Sequence, residues 1–195
     1  IEDFSTIVGV DGEFSNGITY DLSYRYGINI VDYYLHDTVN PSLGNESPTS
    51  FRPGILENRE WHASADFGYQ LETGLPSPVG IYWGASLRDE AYSITQGDTA
   101  SWAVGPLTDR GVGSDGFAGL SPDSAGTWSG QNVAFYIDVE ADLSEQFQIG
   151  IAGRYDDFDS VGSDFNVKGQ ARFNVTDGFA IRGSVGTGFF APTAG

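Results

Sequence analysis

Apolar and polar residues alternate along most of the chain. In residues 165–175, Phe165, Val167, Ala171, Phe173 and Val175 alternate with Asn166, Lys168, Gln170, Arg172 and Asn174. After Thr176-Asp177-Gly178 the beat resumes with Phe179, Ile181 and Val185 against Arg182 and Ser184. A period of two sends successive side chains to opposite faces of a strand, so the stretch reads as a hairpin with one apolar and one polar face. Eight such runs occur, at residues 4–14, 18–30, 60–71, 79–88, 133–143, 147–155, 165–175 and 179–189. No helical period or heptad appears.

The connections alternate in length. Ser15-Asn16-Gly17, the ETGLPSP link (72–78), Ser144-Glu145-Gln146 and Thr176-Asp177-Gly178 are short. Residues 36–57 and about 94–131 are long and polar, and the DDFDSVGSD connection (156–164) is intermediate. Asn-Gly supplies the positive φ angles of a tight hairpin. In an up-and-down meander, alternate connections fall at opposite ends. Short turns at one end and long loops at the other is the asymmetry of bacterial outer-membrane barrels, whose long loops face outward.

A run of 11 to 13 residues rises ~40 Å at ~3.3 Å per residue. Tilted by ~40°, it covers about 30 Å of the normal, enough for a bilayer core. Strands of soluble sandwiches are usually nearer 5–6 residues. Parity also sorts the charges. None falls on the apolar parity of any run. The other parity carries Asp11, Glu13, Asp21, Arg25, Glu60, Asp66, Arg88, Asp138, Glu140, Asp142, Arg154, Lys168, Arg172 and Arg182. A charge at mid-bilayer costs about 2–4 kcal/mol, which accounts for that sorting. Aromatic residues gather near the ends of the apolar face, at Phe14, Trp61, Phe147, Phe173 and Phe179, as in an interfacial girdle. The expected fold is all-β, an antiparallel transmembrane barrel wall with a wet, charged lumen. A soluble β-sandwich that buries the same face, and a small passive barrel, are the alternatives.

Composition narrows the function. The 195 residues include 27 Asp+Glu against 9 Lys+Arg, a net charge of −18. Such a surface repels phosphate backbones, so nucleic acid is not an expected partner. There is no cysteine, hence no disulfide frame or thiolate chemistry. No run of 18 apolar residues forms a membrane helix, and residues 1–10 lack the pattern of a signal peptide.

Candidate chemistry is sparse. GVGSDG (111–116) matches G-x-G-x-x-G but follows no strand and opens no helix, so it reads as a flexible outer loop. Asp156, Asp157, Asp159 and Asp164 are candidates for calcium, without the spacing of a calcium loop. A solvated acidic loop is the plainer reading, as it is for Asp109, Asp115 and Asp123. His36 and His62 fit no metal-ligand spacing. No Ser/His/Asp elbow or Cys nucleophile appears, so neither catalysis nor a cofactor is expected. Phe51, Arg52, Trp102, Phe117 and Trp128 fall in the long polar segments, where aromatics and Arg can form a ligand mouth; packing of the loops on themselves is the alternative. Arg25, Glu60, Asp66, Arg88, Asp138, Glu140, Arg154, Lys168, Arg172 and Arg182 are expected to line the lumen, facing a plug or solute or pairing across strands.

One stretch also resembles a known family. Within GSDFNVKGQARFNVTDGFAIRGSVGTGFFAPT (162–193), Gly162, Ser163, Asn166, Lys168, Arg172, Thr176, Phe179, Arg182, Ser184, Gly188, Phe189, Ala191 and Pro192 match a pattern common in barrels of TonB-dependent outer-membrane receptors. Phe190 departs from it, standing where the family usually has Arg. DYYLHDTVNPSLG, SPTSFRPGILENRE and AFYIDVEADLSEQFQIGIAGRYDDF are similar to the same family, so the resemblance spans nearly the whole chain. It implies energised uptake of a scarce, bulky solute such as a siderophore, vitamin, haem or oligosaccharide. Members have about 22 strands and a plug in the lumen, and are driven by a TonB-type protein of the inner membrane. With no plug before Ile1 and no closing aromatic strand at Gly195, residues 1–195 are expected to be a segment of such a barrel domain in the bacterial outer membrane.

Overall fold

A computed structural model describes residues 1–189 and 191; Phe190, Pro192 and Thr193 of the motif fall outside the described residues. Eight strands form one antiparallel sheet in which sequence neighbours are spatial neighbours. They are β1 (Glu2–Glu13), β2 (Thr19–His36), β3 (Ser50–Leu71), β4 (Val79–Gln96), β5 (Gly126–Ser144), β6 (Phe147–Phe158), β7 (Gly162–Thr176) and β8 (Phe179–Gly186). Each alternating run falls in one strand, with Phe14, Ile18 and residues 187–189 just outside β1, β2 and β8. Among the described residues no ladder joins β1 to β8, so the sheet is an open wall with two edges.

Strand pairing puts the apolar parities together. Phe4, Ile28 and Arg59 lie in one register row, and Tyr20, Phe67, Trp83, Ile137, Gly153 and Val167 in another. Among the described residues no second sheet covers this face. Phe135, Ile137 and Ile151 are 54%, 52% and 64% exposed. A continuous apolar face of this size calls for lipid or a partner, and the described residues form one sheet rather than the two layers of the sandwich alternative. Outer-face rings also meet near the strand ends, Phe14 with Tyr20 at 4.7 Å and Phe147 with Phe173 at 6.4 Å.

Four strands run far beyond what their alternation indicated, and β1, β6 and β7 by two or three residues. β2 continues to His36, β3 begins at Ser50, β4 continues to Gln96 and β5 begins at Gly126. The extensions carry Asp32, Glu57, Arg59 and Asp89 on the apolar parity. Backbone pairing continues beyond the apolar band, while the demand for apolar side chains stops there. Phe51, Arg52 and Trp128 are therefore strand residues rather than loop residues. The DDFDSVGSD connection likewise shrinks to a turn at residues 159–161 between β6 and β7.

A β-bulge shapes the top of β3. Tyr33 pairs with Gly54 but Leu35 pairs with Phe51, so β3 holds one residue more than β2 there. Pro53 cannot donate to a ladder and sits at the bulge, and Gly54 supplies a φ of 147° that a side chain rarely adopts. The extra residue flips the parity. Arg52 turns to the convex side and donates from Nε and Nη2 to Asp32 at 2.8 and 2.6 Å, while Phe51 is 3% exposed.

The long connections fold into one cap. Residues 37–49 hold a 3-10 turn at Pro41–Glu46, and residues 97–125 hold the single-turn helix α1 (Thr99–Trp102) and a 3-10 turn at Pro122–Ser124. Asn40, wholly buried, joins them. Its Nδ2 donates to the Ala100 and Ala103 carbonyls at 2.8 and 3.0 Å, and its Oδ1 accepts from Ser42 N and Oγ at 3.1 and 2.7 Å. GVGSDG is fixed in this cap rather than flexible: Ser114 N donates to Ser101 O at 2.9 Å and Asp115 N to Val39 O at 2.9 Å.

Candidate functional site

The polar face of the sheet is concave. Side chains from β3 to β8, among them Gln70, Tyr82, Glu140, Gln148, Arg172 and Arg182, line an open cavity of about 610 Å³. Arg25, Glu60, Asp66, Arg88, Asp138, Glu140, Arg154, Lys168, Arg172 and Arg182 all share this face, because register joins their parities across all the ladders.

Its upper half is a chain of opposite charges. Glu60 accepts from Arg25 at 3.4 Å and from Arg88 at 2.8 Å, and Arg88 reaches Glu90 at 2.7 Å. Arg154 grips Asp156 at 2.8 Å, and Asn132 Nδ2 donates to the same carboxylate at 3.3 Å. Asp156 is thereby engaged, and Asp157 lies on the opposite face of β6. Asp164 is the register partner of Asp156 and accepts from Asn166 Nδ2, but no described group of three or more His, Cys, Asp or Glu could hold a metal ion. His62 lies between Arg25 and Arg88 in register, while His36 Nδ1 meets Ser50 Oγ at 3.3 Å at the strand tips.

Below the ion-pair chain, long side chains bridge small ones. Tyr136 on β5 crosses Gly84 on β4 and donates its hydroxyl to Asp66 Oδ1 on β3 at 2.7 Å. Gln170 Nε2 reaches over Gly150 to Glu140 Oε1 at 3.0 Å. Asp138 keeps one buried carboxylate oxygen, Oδ1, without a hydrogen bond.

The five mouth candidates separate. Phe51 is buried beneath the cap. Arg52 faces away from the cavity, paired to Asp32 and 5.6 Å from the Tyr34 ring. The Arg52 guanidinium holds the Asp32 carboxyl below its ordinary range, and the hydrogen bond to Asp32 raises the Tyr34 phenol. Trp102 is half-buried, its Nε1 donating to Gly97 O at 3.1 Å. Phe117 and Trp128 remain open, at 36% and 47% exposure. Phe117 stacks on Tyr33 at 4.7 Å and Trp128 on Tyr92 at 6.4 Å. Asn29, Asn58, Tyr92 and Trp128 form one register row across the concave face.

Sequence reasoning passed over Asn29, Asn58, Glu90 and Tyr92. Asn29 stood in an alternating run but carries no charge, and Asn58 preceded the run that began at Glu60. The fourth run was ended at Arg88 because Asp89 breaks the apolar parity. The polar parity continues through Glu90 and Tyr92 and is the signal that would have found them.

A single concave antiparallel meander, charged inside, apolar outside and capped at one end, is the geometry of a barrel wall. The family model described as TonB dependent receptor-like, beta-barrel matches residues 2–195. The chain belongs to this family. No curated protein and no solved structure matches it. The TonB-dependent receptor family is one of outer-membrane receptors and transporters rather than enzymes, so the concave face belongs to a protein class that binds and passes solutes.

Proposed function

We propose that this chain is part of the barrel wall of an outer-membrane receptor that takes up a scarce, bulky solute by gated transport, energised through a plug by a TonB-type inner-membrane protein. The concave face lines the lumen, the apolar face meets lipid and the capped end faces outward. The observation that carries this reading is the partition of charge by face within the apolar band, in a chain that belongs to this barrel family. Phe117 and Trp128, with Tyr92, Asn29 and Asn58, form the solute mouth: flat aromatic surfaces with amide donors and acceptors beside them.

The test is uptake by cells bearing the intact receptor, fed limiting iron chelates, cobalamin, haem or oligosaccharides in turn. Growth on one of them is expected to need both the receptor and the energy-coupling protein. Uptake that persists without the coupling protein would leave a passive barrel instead.

A further inference from the structure

The lower end of the concave face carries an arginine pair that no acid among the described residues pairs with. Arg172 on β7 and Arg182 on β8 are direct register partners. Side chains so placed stand about 4.5–5.5 Å apart at Cβ, and like charges there repel. Among the described residues neither arginine forms an ion pair. Arg172 Nε donates to Asn174 Oδ1 at 3.1 Å, which fixes the guanidinium plane and leaves its terminal nitrogens free. Arg182 makes no side-chain hydrogen bond among the described residues.

The nearest carboxylates in the cavity are engaged elsewhere. Asp142 lies in the same register row, with Gln148 between it and Arg172. Two strand spacings of about 4.8 Å hold it away from Arg172, and it accepts from Ser77 Oγ at 2.7 Å. Glu140 accepts from Gln170. The cavity of about 610 Å³ that both arginines line also includes these acids on its far wall. That size suits a small solute or one end of a larger one.

We propose that Arg172 and Arg182 form an oxyanion-binding site near the short-turn end of the lumen. The ligand class is a solute whose carboxylate or phosphate sits between the guanidinium groups, with a neutral or cationic remainder toward Glu140 and Asp142. Guanidinium groups bind such oxygens through paired, charge-assisted hydrogen bonds, and a shared anion turns the repulsion between them into a clamp. The site rests on the concave face being the lumen, and does not depend on which solute the receptor imports.

The experiment is calorimetric titration of the intact receptor, in detergent at low ionic strength, with inorganic phosphate against a chloride control. Phosphate binding is expected for the native receptor and for Arg110→Gln, which removes a charge from the cap. Arg172→Gln or Arg182→Gln is expected to weaken binding about tenfold or more, the scale of one charged hydrogen bond. The double Arg172→Lys/Arg182→Lys variant, which keeps both charges and guards against misfolding, is expected to bind more weakly than native and better than the double Gln variant. Absence of phosphate binding to the native receptor, or equal binding by native and double Gln receptors, would overturn the site; the arginines would then be answered by an acidic group elsewhere in the receptor. Growth-based uptake is a separate readout, so this failure would leave the transport reading standing.

Discussion

Tyr136 crosses the backbone at Gly84 to reach Asp66, and that crossing sets what each position tolerates. A Cβ at Gly84 would lie 2.5 Å from the Tyr136 ring and 2.8 Å from the Ala65 carbonyl oxygen, which is backbone and cannot swing aside. Tyr136→Phe removes one hydrogen bond, worth about 1 kcal/mol. Gly84→Ala overpacks the row, at about 1–3 kcal/mol. Denaturant unfolding of the intact receptor in lipid is expected to show the alanine variant as the less stable; the reverse order would mean that the bridge is easily displaced. Asp32 gives a pH prediction at the same scale. Arg52 lowers its folded pKa below the unfolded value, so the contribution is complete above the ordinary carboxylate range near 3.9 and is lost as pH falls through the lower folded value. Hydrogen exchange at residues 31–36 and 50–52, corrected for intrinsic rate, is expected to quicken on acidification below that range, and Asp32→Asn is expected to flatten the dependence. Parity alone gave the face of Asp66, Glu60 and Arg88. Their partners were not legible, because a partner one or two strands away depends on a register that only the paired backbone reveals.

At the scale of elements, the chain divides at the edge of the apolar band. Inside the band every strand was legible, because lipid on one side and water on the other force a period of two. Outside it the ladders of β2 to β5 continue with Asp32, Glu57, Arg59 and Asp89 facing outward, and the signal lapses while the hydrogen bonds do not. The bulge at Pro53 reversed parity where sequence had already lost it, and so Phe51 and Arg52 were misplaced. The cap was illegible for a further reason: its core is made of Asn40, Ser42 and Ser101, residues that composition assigns to solvent. Asn40→Ala orphans the Ala100 and Ala103 carbonyls and the Ser42 hydroxyl, while Ser42 N keeps the Gly111 carbonyl, at about 1–3 kcal/mol for each group left buried and unpaired. Limited proteolysis is expected to open residues 37–49 and 97–125 in that variant while the strands stay intact; unchanged protection would show that the cap does not hinge on Asn40. The band has its own test. Ile137→Arg on the outer face is expected to lower folding stability in vesicles by about 2–4 kcal/mol, whereas Ala152→Arg on the concave face changes it little. Equal losses would mean that the convex face does not meet lipid.

For the whole molecule, charge is segregated within the concave face as well as between faces. Asp11, Asp21 and Asp66 adjoin in one register row on β1 to β3, while Lys168, Arg172 and Arg182 stand on β7 and β8. In an eight-stranded barrel closed by β1 and β8 those two walls would meet and pair. In a larger barrel they stay apart and each faces the lumen. The open edges sharpen the choice, because hydrocarbon tolerates no unpaired ladder, so β1 and β8 must each find a partner, either one another or further strands. The chain contains no cysteine, which makes disulfide mapping direct. Val8→Cys with Tyr24→Cys, register partners on β1 and β2, is the positive control. Val8→Cys or Val10→Cys combined with Ile181→Cys or Val185→Cys probes closure between β1 and β8. A disulfide needs Cα atoms about 4.4–6.8 Å apart, so only direct neighbours cross-link. In the intact receptor the control pair is expected to oxidise and none of the closure pairs to do so, on the proposed reading that these eight strands are part of a larger barrel. Efficient bridging of any closure pair would make these eight strands a complete small barrel, bring the acidic row beside Arg172 and Arg182, and remove the plugged-receptor reading along with the anion site.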